Sequence, residues 1–152
     1  MTKDMRSRIG GALKEAMKSK DTARLGTLRL INAAIKDQDI AARATDHEVS
    51  ESDILAILGK MVKQRQESAR AYEEGGRLEL AERELQEIRV IEDFLPVQLN
   101  AEQTQAAIEA AITDNGAESI RDMGRVIGAL KEKYTGQMDF AAVGPLIKAR
   151  LS

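Results

Sequence analysis

Residues 50–96 read SESDILAILGKMVKQRQESARAYEEGGRLELAERELQEIRVIEDFLP. Apolar positions recur there at three- and four-residue spacing, the period of one helix face. Ser50 opens the run, and Asp53 stands three residues later in place of the usual Glu of a capping box. The stripe Leu55, Leu58, Val62, Arg65, Ala69 and Tyr72 predicts one helix. Gly75-Gly76 ends it, because glycine accepts the left-handed backbone of a helix C-terminus. A second stripe, Leu78, Ala81, Leu85, Ile88 and Ile91, predicts a returning helix. It stops at Leu95-Pro96, since proline disfavours helical backbone in the residue before it. Two long helices joined by a glycine turn are an antiparallel hairpin, and that decides an all-helical fold.

The flanks extend the pattern. Upstream, a helix from about Thr2 to Lys20 carries Met5, Ile9, Leu13 and Met17, with Ala16 beside them. Asp21 and Thr22 can cap a helix running to about Ala42, with Leu25, Leu28, Ile31, Ala34 and Ile35 inward. Four antiparallel helices with short links make a bundle over residues 1–96. Downstream, residues 97–152 predict three short helices. Asn100 starts the first, with Ala106, Ala107, Ile108, Ala111 and Ile112 as its apolar face and Asn115-Gly116 as its end. The second runs from about Ser119 to Tyr134. Asp139 can cap the third, which Gly144-Pro145 is expected to break or restart. Gly124 and Gly128, four apart on one helix, suggest close backbone approach to a neighbouring helix or to a ligand.

Composition agrees with helix-on-helix packing. Aromatics make up only 3% of the 152 residues (Tyr72, Phe94, Tyr134 and Phe140), so Leu, Ile, Val, Ala and Met must fill the core. No Cys is present, which excludes disulfides, thiolate metal sites and a cysteine nucleophile. The N-terminal residues are charged and lack an apolar signal run, and no segment is long and apolar enough to cross a bilayer. These features predict a cytoplasmic protein.

The formal net charge of −2 argues against bulk attraction to nucleic acid. The charge is unevenly distributed, however. Residues 3–36 hold nine basic and three acidic side chains, and residues 37–58 one basic and six acidic. Residues 60–77 hold five basic and three acidic, and residues 78–93 two basic and six acidic. Alternation of this kind fits helices that satisfy one another's charges, and equally a basic face.

Catalytic chemistry finds little to stand on. His47 is the only histidine, in a polar link between Asp46 and Glu48, so neither a metal centre nor a serine triad is expected. There is no glycine-rich phosphate loop, and no cofactor is expected. The acids of residues 79–93 alternate with Arg83 and Arg89 as on a solvated face. Arg65 is the exception, because it falls within an apolar stripe, while Glu84 borders another. A guanidinium drawn between helices needs a carboxylate, so Arg65 or Arg29 is expected to pair with Glu84 or Glu87; the alternative is that Arg65 reaches solvent along the groove.

Several strings share their order and spacing with a known family. They are Thr27-Leu28-Arg29-Leu30-Ile31-Asn32-Ala33-Ala34-Ile35-Lys36, Lys63-Gln64-Arg65-Gln66-Glu67-Ser68, Gly75-Gly76-Arg77-Leu78-Glu79-Leu80-Ala81 and Phe94-Leu95-Pro96. With Asp122-Met123-Gly124-Arg125-Val126-Ile127 in the tail, the chain resembles the GatB/YqeY family across almost its whole length. Ile127 and Phe140 depart from that family's usual pattern. The resemblance implies a helical bundle followed by a three-helix tail like that of the B subunit of the glutamine-dependent tRNA amidotransferase. It implies tRNA, and translation or amidotransferase components, as partners. It also carries the label of carbon–nitrogen ligase activity with glutamine as amido donor. The activating and ammonia-releasing domains of that machinery have no counterpart in this sequence, so the chain is not expected to be catalytic alone. The leading expectation is a tRNA-binding or translation-associated accessory module; the others are a component of tRNA-dependent amide transfer and a protein-interaction module. For RNA, the expected phosphate contacts are Lys60, Lys63, Arg70 and Arg77 on the bundle, with Arg121, Arg125, Lys131, Lys133 and Lys148 on the tail.

Overall fold

The computed structural model describes residues 4–152, and every regular element among them is helical. The helix start expected at Thr2 lies outside the described residues. In order, the elements are α1 (Met5–Ser19), α2 (Thr22–Ala44), α3 (Glu51–Glu74), α4 (Leu78–Glu92), α5 (Ala101–Asp114), a single 3-10 turn (Ile120–Asp122), α6 (Met123–Tyr134) and α7 (Phe140–Leu151). The chain divides into two compact units, with the break between Leu95 and Pro96.

In the first unit the starts of α1, α2 and α3 are capped by side chains, whereas α4 follows Arg77 without one. Asp4 accepts from the Ser7 amide at 2.7 Å, and Asp21 from the Arg24 amide at 3.2 Å. Ser50 and Asp53 cap each other reciprocally at 3.1 and 2.9 Å. The Met5 amide donates to the Glu51 carboxylate at 3.1 Å, which ties the start of α1 to the start of α3. Gly76 takes a φ of 73°, closing α3 into the turn before α4.

Ile9 of α1, Leu28 and Ile31 of α2, Ile54 and Leu58 of α3 and Ile91 of α4 form one fully buried core. Each contributes roughly 1.5–3 kcal/mol by leaving water. The expected faces are rotated slightly. Met17 is 48% exposed while Ala16 is buried, because a 3.6-residue turn carries position 17 off the face that Met5 and Ile9 define. Leu78 is 68% exposed, since it opens α4 at the tip of the hairpin. On α3 the buried line is Ile54, Leu58, Met61 and Ala69, with Leu55 and Val62 at its flanks.

The second unit has its own core, made of Ala107, Ile108, Ala111 and Ile112 from α5, Val126 and Leu130 from α6, and Val143, Ile147 and Leu151 from α7. Ala106 is exposed, one position off that face. Asn100 and Gln103 form a capping box at 2.8 and 3.0 Å. Leu99 donates its amide to the Gln137 carbonyl at 2.9 Å, and Gln98 bonds the Gly136 carbonyl. The break expected at Gly144-Pro145 does not occur, and α7 runs through it. Pro145 removes one amide, but the carbonyl it leaves unbonded belongs to exposed Ala141, where water can satisfy it. Burial of Val143 and Ile147 on either side holds the helix together.

Candidate nucleic-acid interface

Arg65 lies on the buried line of α3, four residues beyond Met61 and four before Ala69. Its side chain is only 15% exposed. Nε donates to Glu87 Oε2 on α4 at 2.9 Å, and Nη1 donates to the Met61 carbonyl at 3.1 Å. Arg29 is exposed on α2, on the flank of the Leu28 and Ile31 line, and belongs to no ion pair among the described residues. Glu84, one turn before Glu87, accepts no hydrogen bond from either arginine. Desolvation, reinforced by the neighbouring Glu87 charge and only partly opposed by Arg65, holds its carboxyl above the usual range.

A carboxyl whose folded pKa is raised costs stability where it is ionised, and the cost is relieved as pH falls into the acid range. Glu84→Gln should therefore melt higher than the natural protein near pH 7, with the gap closing at about pH 4. Thermal melts followed by helical circular dichroism at both pH values measure this, and a variant that melts lower near neutrality would contradict it.

The basic residues of the bundle do not form a clean patch. Lys60 and Arg70 are exposed on α3, Lys63 is half-buried there, and Arg77 is exposed immediately before α4. At 3.6 residues per turn, Glu67 and Glu74 fall on the same side of α3 as Lys60, Lys63 and Arg70. That stripe is mixed in sign.

In the tail, the solvent side of α6 also holds an acid, exposed Glu132 between Gly128 and Arg125, but cations outnumber acids there. Arg121 is exposed in the 3-10 turn, Lys131 and Lys133 in the last turn of α6, and Lys148 in the last turn of α7. Lys133 Nζ sits 5.6 Å above the Tyr134 ring. Arg125 already has partners, with Nη2 donating to Asp122 at 2.6 Å and Nη1 to the Asn115 carbonyl at 3.1 Å. The Glu118 amide, then the Arg125 guanidinium and the Ser119 amide, hold the Asp122 carboxyl down at about 2. Arg125 is thus a clamp between the end of α5 and the start of α6, with its side chain still 57% exposed.

Gly124 and Gly128 are exposed, and a Cβ built on either meets nothing within 4 Å. The close helix approach expected there is absent, because α6 buries the opposite side, Val126 and Leu130. The glycine that is approached is Gly144, whose Cβ position lies 3.7 Å from Met123 Cε. Two exposed helical glycines each cost about 1 kcal/mol relative to alanine. They leave a strip of bare backbone that shares the solvent side of α6 with Arg125 and Lys131.

Two features were not evident in the sequence. Arg24 pairs with Asp93 at 2.8 Å while Arg8 donates to the Asp93 carbonyl at 3.2 Å, so α1 and α2 both hold the end of α4. A cleft of about 670 Å³ also runs between α2 and α4, floored by Gly26, Thr27, Leu30 and Val90 and edged by Arg24 and Arg83. No run of residues announces it, since its two sides lie some sixty positions apart. No group of three or more acidic or histidine side chains suited to a metal occurs among the described residues, and no helix is long and apolar enough to cross a membrane.

Comparison with known proteins then bears on the whole chain. Residues 6–151 match the model of the family described as Yqey-like protein. Curated relatives are named "Altered inheritance of mitochondria protein 41, mitochondrial". The one from Kluyveromyces lactis is 30% identical over 105 residues, covering 67% of this chain and 55% of the relative. Its counterpart from Clavispora lusitaniae is 39% identical over 84 residues, covering 55% and 46%. The chain thus spans about half the length of the curated relatives it matches. Their mitochondrial names overturn the expectation of a cytoplasmic protein. That expectation rested on absent cysteine and an absent signal run, and neither property distinguishes one reducing compartment from another. With the family model matched from Arg6 to Leu151, the chain belongs to the YqeY-like family.

Proposed function

We propose that this protein is a tRNA-binding accessory module of translation, with the tail unit supplying most of the phosphate contacts. The observation that carries the reading is the solvent side of α6. There the bare backbone at Gly124 and Gly128 is accompanied by Arg125 and Lys131, against the single acid Glu132 on that side, with Arg121 just before it and Lys133 just after. Side-chain-free backbone lets a sugar–phosphate chain come close, and flanking cations supply the sequence-independent attraction that dominates RNA affinity. With four aromatic residues in the whole chain, of which Phe94 is buried, stacking on bases contributes little. Recognition on this reading is of RNA shape and backbone.

Binding of folded tRNA should weaken steeply with salt. Four tail contacts give a log–log slope of about −3 to −4, from roughly 0.7–0.9 counterions released per phosphate. Fluorescence anisotropy with labelled tRNA, titrated from low to moderate salt, reads that slope. No binding at low salt would remove the proposal. The cleft between α2 and α4 favours a second reading, a protein-interaction module. Copurification with and without ribonuclease separates the two, since a protein partner survives the nuclease.

A further inference from the structure

We propose that Asn115 is a site of spontaneous covalent modification, deamidating through Gly116 at a rate set by opening of the last turn of α5. Three asparagines occur in the chain, and each meets a different situation. Asn32 lies inside α2 and Asn100 caps α5; both precede alanine, whose Cβ crowds its own amide nitrogen, the atom that would attack. Asn115 precedes Gly116, which has no Cβ and lies in an exposed turn with a φ of 59°.

The chemistry needs only water. The Gly116 amide nitrogen attacks Asn115 Cγ, the new C–N bond closes a five-membered imide, and the Cγ–Nδ2 bond breaks. Nδ2 leaves as ammonia, carrying the proton that Gly116 gave up. Water then adds to one of the two imide carbonyls, giving aspartate from one ring opening and isoaspartate from the other.

The folded turn restrains each participant. Asn115 has a ψ of 0°, which keeps the Gly116 nitrogen out of line with Cγ. The Gly116 amide donates to the Thr113 carbonyl at 3.2 Å, and Asn115 Nδ2 donates to the Ala111 carbonyl at 2.7 Å. The Asn115 carbonyl is in turn held by Arg125 Nη1 at 3.1 Å. Reaction therefore waits for the α5 terminus to fray, a local opening that costs far less than unfolding the unit. Arg125 gates it from α6.

The product also damages the turn that made it. A carboxylate at position 115 cannot donate to the Ala111 carbonyl, and it places negative charge at the negative end of a helix. Isoaspartate further lengthens the main chain by one carbon. Either product should loosen the α5–α6 connection.

Peptide mapping of the intact protein during incubation in mildly alkaline buffer tests the proposal, with aspartate and isoaspartate distinguished by fragmentation. Conversion should appear at Asn115 and not at Asn32 or Asn100. It should run about tenfold or more slower than in the same chain held unfolded in urea, reflecting the local opening equilibrium. Arg125→Gln should speed it severalfold, and Asn115→Asp should melt below the natural protein. If Asn115 stays intact in the folded protein over an interval about a thousand times longer than the urea-unfolded chain needs to convert, local opening does not expose it and the site is overturned. Equal rates in the folded and unfolded chain, or an unchanged rate in Arg125→Gln, would overturn the gate.

Discussion

Arg65→Ala lowers the stability of the first unit by about 2 kcal/mol, one of the larger losses expected from any single charged residue in this chain. The figure follows from where the pair sits. With the Arg65 and Glu87 side chains 15% and 32% exposed, both charges are largely out of water. Breaking a fully buried pair costs about 3–5 kcal/mol, and an exposed pair is worth less than about 1 kcal/mol, so a half-buried one falls between. Removing Arg65 also leaves Glu87 and Glu84 repelling each other with no cation beside them, and it takes away a donor to the Met61 carbonyl. Hydrogen exchange of the α3 and α4 amides reads the loss where it occurs, which matters in a chain of two compact units. Replacing both partners, as in Arg65→Met with Glu87→Met, should restore most of the stability, because apolar residues of similar volume carry no desolvation cost. If Arg65→Ala exchanged like the natural protein, the guanidinium would contribute nothing to holding α3 against α4.

Much of this fold could be read from local sequence, and the misreadings share a cause. Helix starts were legible where a side chain supplies the cap, as at Asp21, Ser50 and Asn100, because capping is decided within four residues. The end of α1 was legible from the cap that follows it, although Lys20 closes it in a left-handed conformation without glycine. Met17, Leu78 and Ala106 were each expected inside and lie outside. Each sits at the edge of a stripe or in a first turn, where the partner helix and not the period decides burial. Pro145 signals a break by its own backbone rule, and the burial of Val143 and Ile147 overrides it.

The candidate interface divides in the same way. Residue identity marked the cations, but their neighbours decide their use. Arg125 is held by Asp122 and the Asn115 carbonyl, contacts that depend on how α5 meets α6. The cleft between α2 and α4 is tertiary through and through. No window of contiguous sequence contains both of its walls.

The most discriminating experiment on function concerns the tail. Arg121→Gln, Lys131→Gln and Lys133→Gln in one chain should weaken tRNA binding about tenfold or more at low salt, and flatten the salt slope by about 2 to 3. These three are chosen because they are exposed and none is a member of the Asp122 clamp, so their loss should leave unit stability nearly unchanged. An unaltered thermal melt checks that. The matched control is Lys60→Gln with Arg70→Gln on α3, which removes two cations from a face where Glu67 and Glu74 already offset them. Its effect on affinity should be small. Adding side chains to the bare strip, as in Gly124→Ala with Gly128→Ala, then separates charge from shape. A Cβ at either position meets no protein atom, and alanine favours the helix, so the protein should become slightly more stable. A nucleic-acid backbone seated on that strip would nevertheless be pushed away, and affinity should fall with the salt slope unchanged. A chain that gains stability while losing tRNA would tie the two glycines to the ligand. Equal affinity in the alanine variant, together with loss in the α3 control, would move the interface to the bundle.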